Sequence, residues 1–213
     1  RGGRVRRVAL PMREITRIRR LKKDGSADRK LYLPVIDALR SGSAVIMPVD
    51  GVYGVAAVPS GDERRCAELH PATELPVTEL SVLEPKILIS KREYDFLKRV
   101  WPDEVTVTIA PSDGIDPVHA RIPANPVNRD IIAGAGGLVF FAVLTGKNGK
   151  AISKKSELLG CAERCSAHAM FIDEWCKSHP LPTVVDIRGG GLSHVRKGKV
   201  SIEEIQSLYF LGP

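Results

Sequence analysis

An apolar run broken by an Asp-Gly pair is the first place where this 213-residue chain could do chemistry. Residues 43–55 read Ser-Ala-Val-Ile-Met-Pro-Val-Asp-Gly-Val-Tyr-Gly-Val, and the run 44–49 stops at Asp50-Gly51, with Tyr53-Gly54 just after. An apolar, partly β-branched run bounded by turn residues reads as a buried strand that delivers a tight loop. Gly51 and Gly54 allow close backbone approach, and the amides of such a loop can cradle an anion. The same residues also spell a plain glycine turn in which Asp50 makes an Asx turn, and that reading is the favoured one.

Other chemical signals are thinner. Cys161 and Cys165 are spaced i, i+4 with His168 nearby, which places soft ligands on one side. Zinc asks for four ligands, and Cys176 and His179 follow without a recognisable spacing. Small buried cysteines on a helix face are the favoured reading, and no metal is expected. His119, His179 and His194 have no paired carboxylate visible in the sequence.

Charge is distributed unevenly. Residues 1–30 hold twelve Lys or Arg against three Asp or Glu, a net +9, whereas the remainder carries −2. Arg17, Arg19, Arg20, Lys22 and Lys23 in this segment would attract a phosphate backbone and release its counterions. A solvated, solubilising basic face is the competing reading. No run approaches the roughly eighteen apolar residues of a membrane span, and no secretory signal is visible. Four cysteines in a chain of this length fit a reduced, cytoplasmic setting.

These residues must be positioned by mixed α and β elements. Residues 14–20 read as an edge strand, and 30–41 as a helix carrying Leu33, Ile36 and Leu39 that ends at Gly42. A short helix is expected over 62–70, ended by Pro71. Ser90-Lys91-Arg92-Glu93 is a capping box opening a helix with Phe96, Leu97 and Val100. Residues 104–110 alternate, with Val105, Val107 and Ile109 on one face and Thr106 and Thr108 on the other. Asn125-Pro126 starts a helix that closes near Gly134, and 138–144 is a buried strand expected beside 45–49. A helix over 153–165 leads to a strand over 169–172. Strands over 183–188 and 193–196 are joined through Gly189-Gly190-Gly191, and Ser201-Ile202-Glu203-Glu204 opens the last helix. The expected division is a basic segment, 1–30, and one α/β domain, 31–213.

An ordered set of segments carries a resemblance. Residues 48–55 resemble the Pro-Thr-Asp-Thr-Val-Tyr-Gly-Leu signature of the YrdC/YciO family, the threonylcarbamoyl-adenylate synthases and their relatives. Trp101-Pro102-Asp103-Glu104-Val105-Thr106 resembles that family's Trp-Pro-Gly-Pro-Leu-Thr element, and Ala120-Arg121-Ile122-Pro123 its Val-Arg-Ile-Pro segment. Pro182-Thr183-Val184-Val185-Asp186 is similar to Ser-Thr-Val-Val-Asp, and His194-Val195-Arg196-Lys197-Gly198 to its Leu-Arg-Pro-Gly turn. Each piece alone matches by chance, but five in order do not. The resemblance implies a single-domain, YrdC-like α/β fold with a twisted mixed parallel and antiparallel sheet and flanking helices. It also implies a nucleotide- or substrate-binding set of Tyr53, Thr106, Arg121, Thr183 and Arg196, with the two arginines against phosphates.

Departures from the pattern bear on function. The family's Lys-x-Arg, two cations that hold ATP and bicarbonate-derived oxygens, has no counterpart in 70–76, where Ala72 and Glu74 stand instead. Its Ser-x-Asn falls on Phe141-Ala142-Val143, both threonines of the first motif become Val49 and Gly51, and Pro182 replaces a serine. The family reaction joins threonine, bicarbonate and ATP on Mg²⁺ for tRNA adenosine-37 modification. It needs no protein nucleophile and proceeds by positioning and charge stabilisation, so no catalytic residue is assigned. Several function classes follow. The first is a module binding double-stranded RNA or tRNA by shape and phosphate contact, with synthase chemistry weakened or lost. The second is a surviving threonylcarbamoyl-AMP synthase, or a related nucleotide- or carbamoyl-handling enzyme, using ATP, Mg²⁺ and threonine. A structural partner in a larger assembly is the blandest.

Overall fold

The computed structural model describes residues 14–59, 73–176 and 179–211. The helix expected over 62–70 lies outside the described residues. Among the described residues ten strands form one mixed sheet in the order β1-β8-β2-β3-β7-β4-β6-β5-β9-β10. The strands are β1 (Ile15–Ile18), β2 (Val45–Val49), β3 (Val52–Ala57), β4 (Thr73–Pro76), β5 (Val105–Ile109), β6 (Val118–Arg121), β7 (Phe140–Val143), β8 (His168–Ile172), β9 (Thr183–Asp186) and β10 (Ser193–Arg196). Five α-helices among the described residues flank it: α1 (Leu33–Arg40), α2 (Lys91–Val100), α3 (Pro126–Gly134), α4 (Lys155–Cys165) and α5 (Ile202–Phe210).

The run 44–49 becomes β2 and is buried throughout. At Asp50 and Gly51 the backbone takes φ of 49° and 83°, the double left-handed geometry of a tight hairpin turn that an Asp-Gly pair allows. The chain returns as β3, with Val49 paired to Val52 and Val45 to Ala56. The expected adjacency of 45–49 and 138–144 therefore does not occur. Both are interior strands, but β3 lies between β2 and β7, because the hairpin inserts its own return strand first.

The described part of the basic segment, residues 14–30, enters the fold. Residues 15–18 add β1 to the sheet edge, parallel to β8, and Arg29–Leu31 makes a short 3₁₀ turn before α1. Leu33 is half exposed, whereas Ile36 and Leu39 are buried. Ser90 and Glu93 close a reciprocal capping box on α2, while at α5 Ser201 accepts from the Glu204 amide. Three buried clusters cover the sheet. One includes α1 and α3 residues on one face of β2, β3 and β7, and a second includes α4 residues on the other face of β2 and β3. The third places α2 and α5 against Val105, Val107, Ile109 and Val185.

Candidate functional site

Register decides which side chains can meet. Val107 pairs with Ala120, so one step along Thr106 stands opposite Arg121. Arg121 pairs with Pro76 on β4, Glu74 pairs with Phe141 on β7, and Thr106 pairs with Val184, which itself pairs with Arg196 on β10. Paired residues project to the same face and alternate ones return to it. Thr106, Arg121, Glu74, Phe141 and Arg196 therefore share one face. Val105 and Val107 occupy the other, packed in the α2–α5 cluster, as the alternation of 104–110 predicts. Thr106 and Thr108 are nevertheless buried rather than turned to solvent, at 1% and 2% exposure.

Arg121 is the centre of this face and is fully buried. Its Nη1 lies 3.5 Å from Asp50 Oδ2, its Nε 3.3 Å from Glu74 Oε2, and its guanidinium 5.9 Å from the centre of the Phe141 ring. Arg196 reaches Glu74 Oε1 with Nη2 at 3.5 Å and donates from Nε to the Pro182 carbonyl at 3.2 Å. Between β4 and β10 lie β6, β5 and β9. Four inter-strand steps of about 4.8 Å would hold the two residues roughly 19 Å apart in a flat sheet. The contact requires this half of the sheet to curl, and its concave face forms a cleft lined by these side chains.

A polar bracket fixes the cleft to the β2–β3 turn. The Asp50 amide donates to Asn128 Oδ1 at 2.9 Å, and Asn128 Nδ2 donates to the Pro48 carbonyl at 2.7 Å. Asp50 Oδ1 accepts from the Asn125 amide at 2.8 Å, and Asn125 caps α3 through Oδ1. The turn amide that could have cradled an anion is thus bound to Asn128. Burial pushes the Asp50 carboxyl up, against the lowering pull of Arg121 and the Asn125 amide. Glu104 also faces Asp50 and is ion-paired to Lys199. The sequence reading missed Asn128, which is fully buried. Its spacing of three from the N-cap Asn125, where a second amide can turn back to the preceding loop, was the available signal.

Tyr53 and Thr183 are not brought to this cleft. Tyr53 projects to the opposite face, in the cluster with Phe171 and Leu158. Its hydroxyl lies between the Ile172 backbone and Cys176 Sγ, 3.2 Å away, and burial drives its ionisation well up. Thr183 pairs with Val105 and donates its hydroxyl to the Val200 carbonyl at 2.6 Å. Of the five expected ligand residues, Thr106, Arg121 and Arg196 converge. The one-sided cysteine set also dissolves: Cys161 is buried beside Arg164, and His168 meets Thr16. Among the described residues no cluster of His, Cys, Asp or Glu is placed to hold a metal.

Arg17 is tied to Asp173 through a two-pronged pair at 2.8 Å. Arg19, Arg20, Lys22 and Lys23 are exposed. The turn that follows seats Gly25 against Asn125 and Pro126, with the Gly25 carbonyl accepting from Asn125 Nδ2 at 3.3 Å. The basic loop is therefore anchored on the residue that holds Asp50. Among the described residues no helix is long and apolar enough to cross a membrane.

An α/β domain with this strand order and this cleft has the YrdC/YciO-like fold. The solved structures it is similar to include E. coli YciO, at 14% identity and a TM-score of 0.77, covering 90% of this chain and 98% of that one. P. abyssi Sua5 complexed with L-threonine matches at 18% identity and a TM-score of 0.74, covering 91% of this chain and 60% of that one. HypF in its phosphate- and nucleotide-bound form matches at 14% identity and 0.63, over 78% and 28%. The chain thus spans about three fifths of the length of the Sua5 chains, and at these identities the likeness is one of fold. No protein-family model and no curated protein matches the sequence.

The described residues of the cleft fit ATP and Mg²⁺ poorly. The two arginines that would face phosphates already face Asp50 and Glu74, and the four charges cancel. A carboxylate held a few ångströms from an entering triphosphate repels it by several kcal/mol, about 4 at an effective dielectric near 20.

Proposed function

We propose that this chain is a YrdC-like protein that binds double-stranded RNA or tRNA, with threonylcarbamoyl-AMP synthase chemistry weakened or lost. The observation that carries the reading is the run of exposed cations Arg19, Arg20, Lys22 and Lys23, anchored beside the cleft through Gly25 and Asn125. Phosphate contacts of this kind supply affinity without sequence preference. The +9 carried by residues 1–30 against −2 elsewhere supports the same reading. Arg17 contributes to the local field, though its fork is engaged by Asp173. The low cysteine count supports a cytoplasmic setting.

RNA binding measured across a salt series tests this. Affinity should fall steeply with salt and differ little between duplex sequences. Alanine at Arg19, Arg20, Lys22 and Lys23 together should weaken binding and flatten the slope by about 0.7–0.9 per lost phosphate contact. These positions are preferable to truncation at residue 31, which would strip β1 from the sheet. Absence of RNA binding by the whole chain overturns the proposal. Threonine- and bicarbonate-dependent pyrophosphate release from ATP at ordinary enzyme rates would establish the synthase reading instead.

A further inference from the structure

Asp50 and Glu74 flank one guanidinium but are held differently. Asp50 belongs to the junction of the hairpin turn with α3, through the Asn125 amide at 2.8 Å and its own amide to Asn128. Glu74 is 5% exposed, lies at ion-pair distance from both Arg121 and Arg196, and its Oε2 makes no hydrogen bond. Arg121 Nε and Nη2 and Arg196 Nη2 are likewise buried without a hydrogen-bond partner, and so is Thr106 Oγ1 on the same face. Buried donors left this way are costly unless something accepts from them. Glu74 balances their charge at 3.3–3.5 Å without meeting them in hydrogen-bond geometry.

We propose that Glu74 sets the charge selectivity of this cleft. Its carboxylate stands where an entering anion would meet both arginines, and it excludes phosphate-bearing ligands. Neutralising it turns the cleft into an anion site. The inference rests on the reading that the cleft no longer handles a triphosphate, but it is independent of RNA binding. Asp50 cannot play the same part, because its Oδ1 is fixed by a backbone amide and its removal would loosen the turn. Phe141 gives the cleft a wall and no donor.

The test is calorimetric titration of inorganic pyrophosphate into the whole chain and three variants. The wild type should show no binding at millimolar ligand. Glu74→Gln keeps the shape and removes the charge, and it should gain affinity by about tenfold or more. Glu74→Asp keeps the charge and should gain nothing. The double variant Glu74→Gln, Arg196→Gln should lose most of the gain. A folded Glu74→Gln protein without increased binding overturns the proposal, as does an equal gain in Glu74→Asp. Tight pyrophosphate binding by the wild type overturns it too, and that arm remains decisive if Glu74→Gln fails to fold. RNA affinity measured on the same wild-type sample separates failure here from failure of the RNA reading.

Discussion

At Gly54 the chain has no room for a methyl group. A Cβ there would stand 2.5 Å from the Phe141 ring and 2.6 Å from the Ala142 carbonyl oxygen. The sequence reading offered Gly54 as a place for a ligand to approach the backbone, and the approach is made by Phe141 of the neighbouring strand instead. Gly54→Ala should therefore lower stability by about 1–3 kcal/mol, read from the denaturant midpoint, and pairing it with Phe141→Leu should recover part of the loss. His168 provides a pH dependence at the same scale. It is 3% exposed, with Nε2 2.9 Å from Thr16 Oγ1, and burial lowers its pKa below the ordinary 6.5 against a weaker raising effect of Glu14. The unfolded chain then binds a proton that the folded one refuses. This stability is complete above about pH 6.5 and is lost as pH falls through the folded value. In His168→Gln that part of the acid-side loss should disappear from a series of melts. An unchanged profile would remove His168 as its source.

The bracket that joins α3 to the β2–β3 hairpin is an arrangement of elements rather than a property of one residue. Asn128 satisfies both the Asp50 amide and the Pro48 carbonyl, two buried groups that no regular ladder reaches at the turn. Asn128→Leu fills similar space and leaves both unpaired, so a loss of about 2–5 kcal/mol is expected by chemical denaturation. Asn128→Asp keeps the acceptor for the Asp50 amide but sets a buried carboxylate oxygen against the Pro48 carbonyl, so it should cost at least as much. Asn125→Ala removes the α3 N-cap, for about 0.5–2 kcal/mol. It also frees the Gly25 carbonyl, and RNA affinity should fall with it if the basic loop depends on that anchor. Restored affinity in Asn125→Ser, which caps without the long amide reach, would indicate that helix stability alone matters.

At the scale of the whole molecule, a charge-balanced cleft and a basic loop lie next to each other. The cleft is internally neutralised, while the loop at its border carries the exposed cations Arg19, Arg20, Lys22 and Lys23. A ligand drawn to this region by long-range field is therefore steered to the border rather than into the cleft. Raising salt from 50 to 200 mM should weaken RNA binding by about tenfold or more if three or so phosphates are engaged. ATP with threonine at millimolar concentration should leave the melting temperature unmoved, because a ligand that does not bind the native state adds no stability. A clear upward shift would mean that the arginines release Glu74 in favour of the nucleotide.

Local chemistry written in the sequence was enough for most elements. The Ser90–Glu93 box, the Asn125-Pro126 start, the alternation over 104–110 and the apolar run 45–49 each depend on near neighbours, and each appears in the fold. The ordered motifs likewise carried the fold class. Strand order was not legible, because it is set by which apolar faces find one another. A hairpin closed by two residues placed β3 between β2 and 140–143. The composition of the cleft was legible only in part: Glu74 was visible as a charge of the wrong sign, but nothing local says that it meets Arg121, 47 positions away, and Arg196, 122 away. Pair registers across β7, β4, β6, β5, β9 and β10 decided that, together with the curl that brings the two ends of this half-sheet together. The same registers sent Tyr53 and Thr183 to the other face, since in a strand a single step reverses the direction of a side chain.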